Sequence, residues 1–257
     1  MREALRYRFL FEQMVRRELR RKYQGSALGV AWYVVNPLVL MGAYYLMFGV
    51  VFKVAEHEDY PLFLMVGLVV WIFFSQSLLS AAPALLDQGS LIRKARFPRE
   101  TIPAAVVTVQ AVTFLTVLAA VAVVTFALRG VGAPVVLAPL LLLALFAFVL
   151  GLSLLVSVLH AYYRDVAPIL AAILLPWFFV SPIFFTPGDI TDNDAARAAL
   201  EWLNPVAPFI TSIRDVIWGG AWPSAPTVLY VVAAGALALA GGAALFRRLE
   251  AELAVVV

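Results

Sequence analysis

Between Asp87 and Glu100, four cationic side chains, Arg93, Lys94, Arg96 and Arg99, alternate with Leu91, Ile92 and Phe97. Charge alone would describe a solvated linker. Charge with apolar anchors embedded in it describes a docking surface, because the anchors gain free energy only where a partner covers them. No bond-making chemistry accompanies this island. Cysteine is absent, so there is no thiolate nucleophile, disulfide or cysteine metal site. The two histidines, His57 and His160, are too few for a metal centre within one chain. Asp189, Asp192, Asp194 and Glu201 could hold a cation, but Asp and Asn at helix starts ordinarily cap backbone N–H groups. His57 among Glu56, Glu58 and Asp59 reads as an exposed loop residue. The chain carries no Gly-rich phosphate loop, zinc-protease helix or serine-hydrolase signature, so no catalytic and no metal residue is expected.

Composition sets the class of molecule that must hold the island. Of 257 residues, 63% are hydrophobic and 14% charged, with a mean hydropathy of +0.94. Soluble domains run at roughly 45–50% apolar and about 25% charged. An all-α integral membrane protein is expected, with no nucleic-acid partner. Apolar runs of about 20 residues, long enough to cross a roughly 30 Å hydrocarbon core, occur at 30–52, 62–82, 102–128, 134–159, 166–185 and 228–246. These predict six transmembrane helices.

Basic residues are retained on the cytoplasmic side of a membrane. With six spans, fifteen of the nineteen Lys and Arg residues fall on one side: the N-terminal segment, the island, the Arg164 turn and the Arg247-Arg248 tail. Lys53, Arg129, Arg197 and Arg214 fall on the other. Both termini and the island are therefore expected in the cytoplasm. The spans contain almost no ionisable group, which argues against proton or ion coupling within them. A transporter of this composition must draw its energy from elsewhere.

The N-terminal segment does not read as a signal peptide, since a long charged stretch precedes the first apolar run and no small-residue cleavage site follows. Over 7–23, Tyr7, Phe11, Val15 and Leu19 recur every four residues, with Leu10 and Met14 beside them and Arg6, Arg16 and Arg20 opposite. That spacing predicts an amphipathic helix on the membrane surface, with a basic tail of no fixed structure as the alternative. Gly25 and Gly29 follow as a hinge into the first span. The fifth span carries Pro168, Pro176 and Pro182, so kinks or breaks are expected there. Beyond it lie two runs too short to cross, 195–203 and 209–218, separated by Asn204-Pro205. In the second, Phe209, Ile213 and Ile217 form a stripe, which places it in the outer interface or re-entering the membrane.

Aromatic residues gather at span ends and along the first, second and fifth spans. For Trp32, Tyr33, Trp71 and Trp202 the ordinary reading is an interfacial belt. The alternative is a sugar path, since aromatic faces stack on the C–H faces of pyranose rings. Tyr44 and Tyr45 lie mid-span, where a phenol needs a partner or a wet cavity.

An ordered set of motifs runs through nearly the whole chain. It begins with Arg20-Arg21-Lys22-Tyr23-Gln24-Gly25, then Gly29, Trp32 and Asn36-Pro37. Tyr60-Pro61, Leu91 to Lys94, Phe97 to Glu100, Tyr163-Arg164-Asp165, Ser181-Pro182, Asn204-Pro205 and Phe246 to Glu250 follow. In this order they resemble the permease subunits of polysaccharide, O-antigen and teichoic-acid ABC exporters, of the ABC-2 type. The resemblance implies a single ABC type-2 transmembrane domain over 1–257, with an interface helix in 1–29, a cytoplasmic coupling loop at 83–101 and re-entrant outer gate helices within 187–222. It implies that two permeases pair, that each is served by a separate ABC ATPase binding ATP and Mg, and that the chain itself holds no cofactor. The ATPase would engage Leu91, Ile92 and Phe97, with Arg93, Lys94 and Arg96 at the rim. The cargo implied is a polysaccharide on a polyprenyl-pyrophosphate carrier, exported across a bacterial plasma membrane. Tyr33, Tyr44, Tyr45, Trp177, Phe178 and Phe184 would line its path, with Phe209, Ile213 and Ile217 at the outer gate. Arg20, Arg21 and Lys22 could attract the pyrophosphate, or anchor to anionic membrane lipids in the ordinary way. Two further classes stay open: a type-2 permease for a drug or lipid, and a membrane enzyme acting on polyprenyl lipids.

Overall fold

The structure is a computed structural model that describes residues 2–23, 29–51, 59–94, 97–190 and 193–250. Every regular element among these residues is a helix. Helix α1 spans Arg2–Tyr23, and α2 spans Trp32–Tyr44 and continues as a π-helix over Tyr45–Val51. Next come α3 (Tyr60–Ala81), the short α4 (Ala84–Asp87) and α5 (Gly89–Lys94), and α6 (Thr101–Arg129). A 3₁₀ turn leads into α7 (Ala138–Tyr162), followed by α8 (Val166–Val180) and α9 (Pro187–Ile190). The chain closes with α10 (Asp194–Trp202), α11 (Ala207–Arg214) with a π-helical extension over Asp215–Gly219, and α12 (Ala225–Leu249).

Four of the described helices are long and apolar enough to cross a membrane: Tyr60–Ala81, Thr101–Arg129, Ala133–Tyr162 and Ala225–Leu249. The expected span at 30–52 is helical over Trp32–Tyr44, with Pro37 inside it, and on through the π-helix Tyr45–Val51. The expected span at 166–185 appears as the shorter apolar helix Val166–Val180. Helix α8 runs through Pro176 and ends where Ser181 turns extended (φ −80°, ψ 144°), because the ring of Pro182 disfavours helical geometry at the preceding residue.

Helix α3 is buried nearly all round, as expected of a helix apolar on every face, and forms the axis of the larger core with α6, α7, α8 and α11. Helices α7 and α12 touch backbone to backbone. A Cβ on Gly151 would lie 2.2 Å from the Ala238 carbonyl, and one on Gly235 would lie 2.6 Å from the carbonyl oxygen of Ala144. Small residues at such a seam let helices gain dispersion energy without a hydrophobic driving force.

A second core joins α1 to the opposite ends of α6, α7 and α12 through Met14, Leu85, Ile92, Ile102, Leu154 and Phe246. Helix α1 is two-faced: Met14 is buried, Phe11 and Val15 pack beside it, and Arg16, Arg17, Arg20 and Arg21 are exposed. Of the expected hinge, Gly25 lies outside the described residues, while Gly29 adopts a left-handed φ of +49° that glycine takes without strain.

Candidate functional site

The break after α8 is the first place where chemistry concentrates. Leaving the helix frees backbone carbonyls inside an apolar core, where an unmet acceptor is costly. Two side chains meet carbonyls there, and a third ties in the Ser181 hydroxyl. Arg214, at the end of α11, donates from Nη2 to the Ile183 carbonyl at 3.0 Å, and Tyr60, at the start of α3, donates to the Phe184 carbonyl at 2.8 Å. Asn204 donates from Nδ2 to Ser181 Oγ at 3.0 Å, and its Oδ1 accepts from Trp177 Nε1 at 2.9 Å and from the Val206 N–H at 3.1 Å. The Arg214 guanidinium is only 3% exposed and lies 3.8 Å above the Phe63 ring, a cation–π contact away from water. It fits because residue 67 is glycine; a Cβ there would sit 2.2 Å from Arg214 Nη2.

Rings enclose this hub. Tyr44 lies 5.2 Å from both Phe178 and Phe184 between centroids, and Phe48 stacks on Phe184 at 4.2 Å. The structure thus brings Tyr44, Trp177, Phe178 and Phe184 together around one chain break. Phe178 and Phe184 are buried, whereas Tyr45 is exposed and the side chain of Tyr33 lies outside the described residues. Phe209, Ile213 and Ile217 also come together, all buried against the larger core, with Phe209 stacked on Phe148 at 4.8 Å. Of the acidic group, Asp189 accepts from the Thr186 N–H at 2.6 Å, and Asn193 caps α10 through the N–H groups of Ala195 and Ala196. Asp192 and His57 lie outside the described residues.

The island, the second concentration, is tied down at its two edges. On one side Arg17 of α1 donates to Gln88 Oε1 at 3.0 Å, and Arg21 approaches Asp87 at 3.4 Å. On the other, Arg99 donates to the Glu250 carbonyl, and Arg247 Nε lies 3.5 Å from Glu100. Tyr162 donates to the Leu249 carbonyl at 2.7 Å, so the ends of α7 and α12 join the same edge. Burial, reinforced by the Glu100 carboxylate, raises the Glu250 carboxyl above its ordinary range, against the pull of Arg99 and Arg247. Between the edges, Leu91 and Phe97 are half-buried while Ile92 turns fully into the second core. The side chains of Lys22, Arg93 and Lys94, and all of Arg96, lie outside the described residues.

Residues 10–218 of the chain match the ABC-2 type transporter family. The chain belongs to that family. The O-antigen export system permease protein RfbA of Myxococcus xanthus is 31% identical over 255 residues, which cover 99% of this chain and 97% of that protein. A permease of the same name from Klebsiella pneumoniae is 28% identical over 221 residues, 82% of each chain, and another is 25% identical over 262 residues, 96% of this chain and 95% of that one.

The family match takes in most of α1, the island and the hub, and ends before α12. In this ABC-2 chain, sequence reasoning missed what holds the hub: Tyr60 and Asn204 stood only among the ordered motifs, and Gly67 and Arg214 were not singled out as site residues. One signal was available for Arg214, a lone cation inside the apolar run 209–218, since ionisable groups at membrane depth mark function or a specific partner. Gly67 has no such signal, because the space it leaves is filled by a side chain 147 positions away.

Proposed function

We propose that this ABC-2 chain is the channel-forming permease of an ATP-driven exporter that moves a polyprenyl-pyrophosphate-linked polysaccharide of the O-antigen class across the bacterial inner membrane. The observation that carries this reading is similarity to an O-antigen export permease over 99% of the chain. In this reading the chain crosses the membrane six times with both termini in the cytoplasm. Helix α8, fifteen residues and about 22 Å long, is too short for a roughly 30 Å core, so residues 181–185 complete the fifth crossing.

Two copies pair through faces that a single chain leaves bare. Leu38, Val39 and Leu46 on α2, and Ile169, Ile173 and Phe179 on α8, are exposed. The polysaccharide slides between the copies past Tyr45 and the aromatic collar of Tyr44, Trp177, Phe178 and Phe184. Helix α11, carrying Phe209, Ile213 and Ile217, forms the outer gate with α10. Arg20, Arg21 and Lys22 draw the pyrophosphate to the cytoplasmic face.

A separate ABC ATPase, one for each permease, binds ATP and Mg and docks on the island. Leu91 and Phe97 give it apolar contact, Ile92 roots α5 in the permease, and Arg93, Lys94 and Arg96 form the rim. ATP-driven closure of the ATPase pair pulls the island, and the edges at α1 and α12 pass that motion to the spans. Deleting the gene from its organism tests the assignment. Lipid-linked glycan should accumulate on the inner leaflet; normal surface glycan with no such accumulation would favour a drug or lipid permease instead.

A further inference from the structure

Beneath α1 lies a cavity of about 410 Å³ whose lining shares only Arg21 with the proposed transport path. Its mouth carries both signs of charge: Arg17, Glu18 and Arg21 of α1 face Asp87 and Gln88. These charges do not simply cancel. Gln88 is buried between Arg17 and Glu18, accepting from the first at 3.0 Å and donating to the second at 3.3 Å, so a neutral amide holds cation and anion apart. The Arg21–Asp87 contact, at 3.4 Å and largely exposed, is weak enough to open.

The rest of the lining differs in character. Gln76, five residues before the end of α3, is exposed, lines the cavity and makes no hydrogen bond among the described residues. Beside it, Ile102, Val106 and Val109 of α6 form an apolar face. The Gln76 amide can donate to a ligand that fills the cavity.

We propose that this cavity binds a zwitterionic aminophospholipid of the inner leaflet. The proposal rests on the reading above that α1 lies at the cytoplasmic membrane surface. The lipid ammonium meets Glu18 and Asp87, its phosphate meets Arg17 and Arg21, an ester carbonyl accepts from the Gln76 amide, and the first methylenes run along Val106 and Val109. A primary ammonium supplies three N–H donors to the two carboxylates, whereas a choline head group supplies none. A purely anionic lipid would satisfy the arginines but meet Glu18 and Asp87 with like charge. Because α4 opens the island, an occupied cavity fixes the island's first edge to α1.

The test uses the full-length protein in nanodiscs of equal parts phosphatidylethanolamine, phosphatidylcholine and phosphatidylglycerol, with retained lipid read by native mass spectrometry. Wild-type protein should retain the ethanolamine lipid about tenfold over the choline lipid, the scale of one charge-assisted hydrogen bond. Glu18→Gln with Asp87→Asn should erase that preference while the protein stays folded, and Asp87→Asn alone should reduce it. Arg17→Gln should lower retention of every phospholipid. Equal retention of ethanolamine and choline lipids, retention led by phosphatidylglycerol, or a preference that survives the double substitution overturns the proposal. Impermeant thiol labelling of Arg20→Cys separates it from the reading it rests on. Labelling from the outside overturns the orientation, whereas cytoplasmic labelling with no lipid preference overturns the site alone.

Discussion

The break after α8 and the island before α6 both interrupt an otherwise apolar chain, yet they are finished in opposite ways. At the break, the carbonyls of Ile183 and Phe184 and the hydroxyl of Ser181 are met by Arg214, Tyr60 and Asn204, each from a different part of the sequence. At the island, polar contacts gather at the two edges, to α1 and to α12, and leave Leu91 and Phe97 half-exposed between them. The first region is completed by its own chain. The second keeps apolar surface in reserve, which is what an ATPase-docking element requires under the proposed function. Substitutions at the break should therefore register as lost stability, and substitutions at the island as lost export.

The largest stability effect is expected at Arg214. Arg214→Met removes the donor to Ile183 and the cation over Phe63, leaving a buried carbonyl unmet, and should cost on the order of 3 kcal/mol. Gly67→Ala reaches the same contact from the other side, since the added methyl would displace Nη2, and should cost somewhat less. Thermal unfolding in detergent, followed by tryptophan fluorescence, reads both. A midpoint within a degree of wild type for Arg214→Met would mean that the hub is not what holds α11 in place. Asn204→Leu comes next, at about 2 kcal/mol, because it strands Trp177 Nε1 and the Val206 N–H together.

The two regions also differed in how far the sequence announced them. The island was legible as charge around apolar anchors, and α1 as a stripe of period four, because both signals are local. The break was legible only as prolines: Pro182 forecast that the helix would fail, and Ser181 is where it does. What meets the freed carbonyls was not legible, since Tyr60 lies 124 residues from Phe184 and Arg214 lies 31 from Ile183. Hydropathy likewise reads 166–185 as one continuous helix, because Ile183, Phe184 and Phe185 are as apolar as a helix interior while their backbone has left the helix. Ile92 shows the same limit at the island. Composition puts it beside Leu91 as an anchor, and only packing reveals that it faces the second core.

Phe97→Asp tests the island side of the contrast. Phe97 is half-buried, so the stability cost should stay near 1 kcal/mol, while export falls at least tenfold and ATP hydrolysis by the assembled transporter becomes independent of cargo. Surface glycan and ATPase rates in the same membranes give both numbers. Export that persists with full coupling would remove Phe97 from the docking surface.

The smallest effect is expected on α1, where Arg16 lies 2.5 Å from Glu12 one helical turn earlier. The geometry is short, but the side chains are 60% and 47% exposed, so water and salt screen the pair and each long side chain loses rotamer freedom in making it. Arg16→Ala should shift stability by no more than about 0.5 kcal/mol, and raising the salt concentration should shrink even that. The attachment of α1 lies instead in Met14, buried against Leu85 and Ile102 in the second core, where salt has no purchase. If Arg16→Ala proved as costly as Asn204→Leu, α1 would be held by charge rather than by packing. The contrast between a self-completed break and an open island would then have to be redrawn around electrostatics.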